Sequence, residues 1–203
     1  MKKLLLLIFS VLWILESGYS QTPGQSLPAD STALILIDIQ DFYFPGGTAP
    51  LDHPEEAAAQ AARALSYFRN HNVEVVHVKH AARKFADIYV TVKPEENEKV
   101  FTKRDVNAFL NTGLHDYLQS KHIRYLVFGG MMTHMCLEAG VRAAHDLGYS
   151  CIVLSDACAT RNLEYKGKVI KSADVHYSTL ATLDRYYGKV IDTDTFLKNY
   201  SWK

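Results

Sequence analysis

The sequence predicts an α/β fold built on a mostly parallel sheet. Three observations carry that expectation: short apolar runs that read as doubly buried strands, helical-period or Ala-rich stretches between them, and Gly or Pro at the joins. Five or six such β-then-α units follow one another without an internal repeat, and right-handed crossovers would return each strand to the same sheet.

The first 20 residues stand apart from that pattern. Lys2 and Lys3 precede an uncharged 12-residue apolar run, Leu4 to Leu15, and the small residues Gly18 and Ser20 follow. A bilayer-spanning helix needs roughly 20 apolar residues, so residues 1–20 read as a signal peptide cleaved near Ser20 and not as a stable membrane anchor. An uncleaved buried helix is the competing reading. The expectation is an exported protein, periplasmic or secreted, with a polar leader at 21–30 and one domain over 31–203.

Within that domain Ala33–Asp38 is the first strand, an apolar run ending in a carboxylate. Pro45-Gly46-Gly47 and Pro50 enforce a loop, and Pro54 with Glu55 and Glu56 reads as the first turn of a helix to about Asn70, burying Ala58, Ala61, Ala62, Leu65 and Phe68. Val73–Val78 is the second strand. Residues 81–100 carry no clear period and read as an active-site loop before a short strand, Val100–Thr102. Asp105 can cap a helix to about Ser120, with Val106, Phe109, Leu110, Leu114 and Leu118 at helical spacing. Tyr125–Phe128 is a strand ended by Gly129-Gly130, and a helix runs from about Met135 to Leu147, stopping at Gly148. Ser150–Leu154 is a strand, Lys166–Tyr187 a long helix closed by Gly188, and Lys189–Ile191 a last short strand.

Composition excludes several classes. With 22 Lys+Arg against 22 Asp+Glu and no basic block, the chain offers no electrostatic footprint for nucleic acid. Its three cysteines are too few for a disulfide framework and lack CxxC spacing. The expected partner is a small-molecule substrate.

Sites in parallel α/β sheets lie beyond the carboxyl ends of the strands. Those ends deliver Asp38, Lys103 and the segment from Gly129 to Cys136. Cys136, at a helix start, is a candidate nucleophile, since exposed N–H groups and the dipole favour a thiolate and can hold an oxyanion. Equally, it reads as one more small buried residue beside Gly140, Ala143 and Ala144. Asp38 at an apolar strand end needs Lys103 or a proton; it is either a general base beside the thiol or half of a structural ion pair.

These residues lie in motifs that resemble the isochorismatase-like cysteine hydrolases, a family that includes nicotinamidases and other amidases. The matching segments are Ala33 to Phe42 (ALILIDIQDF), Lys103 to Phe109 (KRDVNAF), Gly130 to Cys136 with Arg142-Ala143-Ala144 and Leu147-Gly148-Tyr149, and Ser155-Asp156-Ala157. In the family's order, they thread nearly the whole chain after residue 20. The resemblance implies a single-domain, Rossmann-like three-layer sandwich and a catalytic triad of Asp38, Lys103 and Cys136. It further implies a non-proline cis peptide between Met131 and Met132, aiming the Met132 amide with that of Cys136 at an oxyanion, and a homodimer or larger homo-oligomer.

Two departures narrow the function. Nicotinamidases resembling this chain carry an Asp-x-His metal unit, whereas here Asp52 and His53 are adjacent and no further His occurs until His71; His77 and His80 have no Asp at ligand spacing. No metal and no cofactor are expected. Isochorismatases that cleave a vinyl ether can do without the thiol, which this chain keeps. The expectation is an exported hydrolase acting on an amide, ureide or related C–N bond through a thioester. An ether hydrolase led by Asp38 and a noncatalytic small-molecule binding protein are the alternatives. Phe42, Tyr43, Asn107, His134 and Arg161 are candidate substrate contacts, and Cys158 a candidate disulfide partner of Cys136 in an oxidising compartment.

Overall fold

The computed structural model describes residues 25–82 and 84–203. The signal-peptide reading of residues 1–20 lies outside them. Among the described residues no helix is long and apolar enough to cross a membrane.

Ten strands and five α-helices are formed by the described residues. The strands are β1 (Gln25–Leu27), β2 (Thr32–Ile37), β3 (Glu74–His80), β4 (Lys99–Lys103), β5 (Tyr125–Met131), β6 (Ser150–Ala159), β7 (Leu163–Tyr165), β8 (Lys168–Ile170), β9 (Lys189–Ile191) and β10 (Tyr200–Trp202). The helices are α1 (Pro54–Asn70), α2 (Leu114–Ser120), α3 (Glu138–Asp146), α4 (Ser172–Tyr186) and α5 (Thr193–Asn199). Six strands make one all-parallel sheet in the order β4-β3-β2-β5-β6-β9.

Both faces of that sheet are covered, which is why β2 is apolar at every position of its core. Leu34 and Leu36 pack with Ala58, Ala61, Leu65 and Phe68 of α1 and Phe196 of α5. Ala33, Ile35 and Ile37 face the other way, onto Leu114 and Leu118 of α2, Val141 and Ala144 of α3, and Leu180 and Leu183 of α4. The period of two along a strand thus feeds two cores, giving the three-layer α/β/α sandwich expected.

Several elements differ from the sequence reading. The helix expected from Asp105 begins only at Leu114: Asn107 Oδ1 accepts the Phe109 amide, Asn111 and Gly113 have φ of +56° and +77°, and Val106 and Leu110 are left exposed. An Asx turn and two left-handed residues outcompete the helical spacing there. The start of the long last helix is instead an antiparallel hairpin, β7–β8, turning at Lys166-Gly167, both at positive φ, and α4 begins at Ser172. Strand β5 continues through Gly129 and Gly130 to Met131, and β6 continues to Ala159 beside it. Gly130 permits this because a Cβ there would lie 2.2 Å from the Ile37 carbonyl oxygen. Part of the stretch read as a leader forms β1, paired in parallel with β10.

Candidate active site

Strand β2 ends at Ile37, and Asp38 turns off it at φ +51°, its amide still bonded to the Val78 carbonyl at 2.8 Å. Asp tolerates this left-handed conformation better than most residues. Lys103 closes β4, opposite His80 at the end of β3. Cys136 lies in a π-turn, Thr133–Leu137, that joins β5 to α3, with the Met135 and Leu137 amides both bonded to the Met132 carbonyl. The peptide between Met131 and Met132 is cis.

Neighbouring parallel strands therefore deliver their ends to one point. Lys103 Nζ lies 2.7 Å from Asp38 Oδ2 and 3.2 Å from Cys136 Sγ. It also reaches the Asp105 carbonyl at 3.1 Å and His80 Nδ1 at 3.3 Å. Asp38, Lys103 and Cys136 are all buried. Oδ2 is held in the ion pair with Lys103, and Asp38 Oδ1 has no hydrogen bond among the described residues.

Burial dominates the electrostatics. Desolvation raises the Asp38 pKa, opposed by the Lys103 charge. The Cys136 thiol is pushed up to about 12, by burial first and the Asp38 charge second, against the pull of Lys103. The resting group is thus a thiol. Against the expectation that a helix start would favour the thiolate, Cys136 sits inside the turn, and burial, the largest influence on its thiol, acts the other way.

Of the other sequence candidates, Tyr43 feels the charges of this centre. Tyr43 is buried, and its phenol pKa is raised by burial, then by Cys136 and Asp38, and lowered by Arg161. Nδ1 of His134 lies 2.6 Å from Thr160 Oγ1, and burial and then the Arg161 charge depress its pKa. Arg161 follows Thr160 and is exposed. Phe42 belongs to the core under α1, and Asn107 is taken up by its own turn. Phe44 stacks on Tyr89 with ring centroids 3.4 Å apart.

Cys136, Cys151 and Cys158 are free thiols, and Cys158 Sγ is bonded to the Leu154 carbonyl at 3.2 Å. Asp52 is bonded to Ser172 Oγ, and His53, at the start of α1, to Glu56. Among the described residues no group of three or more His, Cys, Asp or Glu is placed to hold a metal ion. A cavity of about 330 Å³ opens beside Thr160, lined by Asp52, His53, Asp156, Ser172 and His176 and not by the buried triad.

Two contributors escaped sequence reasoning. His80 carries no metal-ligand spacing, yet it borders Lys103; the parallel register of β3 and β4 is the signal that pairs them. Gln40 is wholly buried and grips His80 from both sides, its Oε1 accepting the His80 amide at 2.6 Å and its Nε2 donating to the carbonyls of His80 and Ala86. It thereby ties the loop after β3 to the end of β2.

Comparison with known proteins adds the kinship. Residues 32–193 match the family model of the isochorismatase domain. The uncharacterized isochorismatase family protein YddQ of Bacillus subtilis is 42% identical over 83% of this chain and 99% of its own length. A crystal structure from Oleispira antarctica described as an isochorismatase hydrolase superposes with a TM-score of 0.79 at 40% identity, over 83% of this chain and 97% of that one. A ureidoacrylate amidohydrolase, RutB of Variovorax paradoxus, is 29% identical over 57% of this chain and 42% of its own length.

Proposed function

This chain is a hydrolase of the isochorismatase family, and from that premise we propose that it cleaves a small amide or ureide C–N bond through a thioester on Cys136. One observation carries the reading: a single buried ammonium, Lys103 Nζ, touches both Asp38 Oδ2 at 2.7 Å and Cys136 Sγ at 3.2 Å. The amidohydrolase name of the Variovorax relative supports the bond type. The apolar run at Leu4–Leu15 supports an exported location.

In the first half-reaction Cys136 Sγ attacks the acyl carbon as its proton passes to Asp38, whose basicity burial raises. Lys103 stabilises the sulfur as it becomes anionic, and the Met132 and Cys136 amides hold the oxyanion. Asp38 returns the proton to the leaving nitrogen, the C–N bond breaks and a thioester remains. Water then gives a proton to Asp38 and adds to the thioester; the C–S bond breaks, the thiol recovers the proton and the acid leaves. No step of this chemistry uses a metal.

The test is turnover of a panel of small amides and ureides by the protein and by Cys136→Ala. The expected result is hydrolysis in the former, reduced by about 10³-fold or more in the variant. Hydrolysis of a vinyl ether that survives Cys136→Ala but not Asp38→Asn would install the ether-hydrolase reading instead. Tight binding of a panel compound without turnover would install the binding-protein reading.

A further inference from the structure

Lys103 has more partners than protons to give them. An ammonium carries three N–H donors and no acceptor. Four groups surround Lys103 Nζ: Asp38 Oδ2 at 2.7 Å, the Asp105 carbonyl at 3.1 Å, Cys136 Sγ at 3.2 Å and His80 Nδ1 at 3.3 Å. Lys103 is only 1% exposed, so solvent does not compete for these donors. From this count we infer that His80 is a positioning residue: at rest its Nδ1 accepts the third Lys103 N–H, which turns to Cys136 Sγ when the sulfur becomes anionic. The inference rests on the hydrolase reading above, in which Cys136 is the nucleophile, and adds the group that holds Lys103 until the thiolate forms.

The chemistry of the four partners ranks them. A carboxylate and a peptide carbonyl only accept, and Asp38 and Asp105 occupy two of the three N–H groups. One N–H is left for an imidazole nitrogen and a sulfur at nearly equal distance. Facing an ammonium, His80 Nδ1 must be the acceptor, so the ring is neutral and carries its own proton on Nε2. An imidazole nitrogen accepts well and a thiol sulfur weakly, so His80 holds the N–H while Cys136 is a thiol. A thiolate reverses the ranking, because a hydrogen bond between ionised groups is the stronger. The exchange swaps one hydrogen bond for another: Lys103 stays an ammonium and His80 stays neutral.

The fold fixes His80 for this part. It sits opposite Lys103 in the parallel register of β3 and β4. Gln40 holds it by the main chain, accepting its amide at 2.6 Å and donating to its carbonyl at 3.1 Å. Neither bond involves the imidazole, so a change of side chain leaves the backbone anchored.

Alkylation of Cys136 by iodoacetamide in the folded protein, followed by site-resolved mass spectrometry at pH 9, tests this without any turnover. That pH lies well below the Cys136 ionisation at about 12, so the rate follows the thiolate fraction. His80→Leu leaves Lys103 three partners for three N–H groups, and Cys136 should react about fivefold faster, the worth of one hydrogen bond. His80→Asn puts Oδ1 where Nδ1 stood and should stay within about twofold of the native rate, whereas His80→Gln, whose oxygen reaches the place of Nε2, should behave as His80→Leu does. A ring that merely fills space would not separate Asn from Gln. In a Lys103→Met background His80→Leu should have no effect, because His80 acts only through Lys103. Cys151, at the opposite end of β6, reports any general loosening of the fold. A Cys136 rate in His80→Leu that is unchanged, lowered, matched by a rise at Cys151 or raised equally without Lys103 overturns the inference and leaves the hydrolase reading standing. Equal rates in His80→Asn and His80→Gln do the same. Failure of native Cys136 to react at all overturns both.

Discussion

At the residue scale, Asp38 and Cys136 work against each other at rest. Burial and the Asp38 charge hold the thiol protonated, and burial holds the Asp38 carboxyl ready to take a proton, while Lys103 eases both. Asp38→Asn should therefore have two effects of opposite sign. Cys136 should lose its proton at lower pH, because the second-largest cause of its raised pKa is gone, while hydrolysis falls by about 10²- to 10⁴-fold for want of a base. The check is the pH profile of Cys136 alkylation set beside turnover of the same variant. A tuning residue without a proton-transfer role would move the first and spare the second. Asp38 and Cys136 were legible in the sequence because each ends an apolar strand or opens a helix. The raised thiol pKa was not, since sequence shows the helix start but not the depth at which it is buried.

At the element scale, the site depends on how closely β5 can pass the end of β2. A Cβ at Gly130 would fall 2.2 Å from the Ile37 carbonyl oxygen and 2.8 Å from its nitrogen, at φ +147°, on the strand that leads into the Cys136 turn. Gly148 also has positive φ, +90°, but a Cβ there would meet nothing within 4 Å. Gly148→Ala should cost roughly 1 kcal/mol through its backbone alone. Gly130→Ala should cost about 3 kcal/mol or more and displace the Asp38 strand end as well. Urea unfolding of the two variants measures the difference, and equal losses would show that close approach at Gly130 matters no more than φ. The same scale shows where the sequence misled. Val106, Phe109 and Leu110 have helical spacing, but Asn107 and the left-handed Asn111 and Gly113 override it, and Lys166-Gly167 makes a hairpin where a helix start was read. Turn chemistry at single residues outweighs a periodic pattern there.

For the whole molecule, the architecture was legible because one parallel sheet buried on both faces leaves a strong trace: strands such as β2 are apolar at both phases of their alternation, feeding two cores. Strand order is what sequence cannot give, and it decides the site. The order β4-β3-β2-β5 sets the ends of β4, β2 and β5 close enough for Lys103, Asp38 and Cys136 to meet, and it puts His80 against Lys103. Strands β1 and β10 were invisible for a related reason, as three-residue segments that pair with each other across the length of the chain. The claim that these strand ends form one electrostatic unit is tested most directly by the ionisation of Cys136, followed as site-resolved alkylation against pH in the native protein and in Lys103→Met. The account predicts a thiol that ionises near pH 12, above the ordinary thiol value, and later still once Lys103 is removed. Ionisation at or below the ordinary value, or a profile indifferent to Lys103, would contradict it.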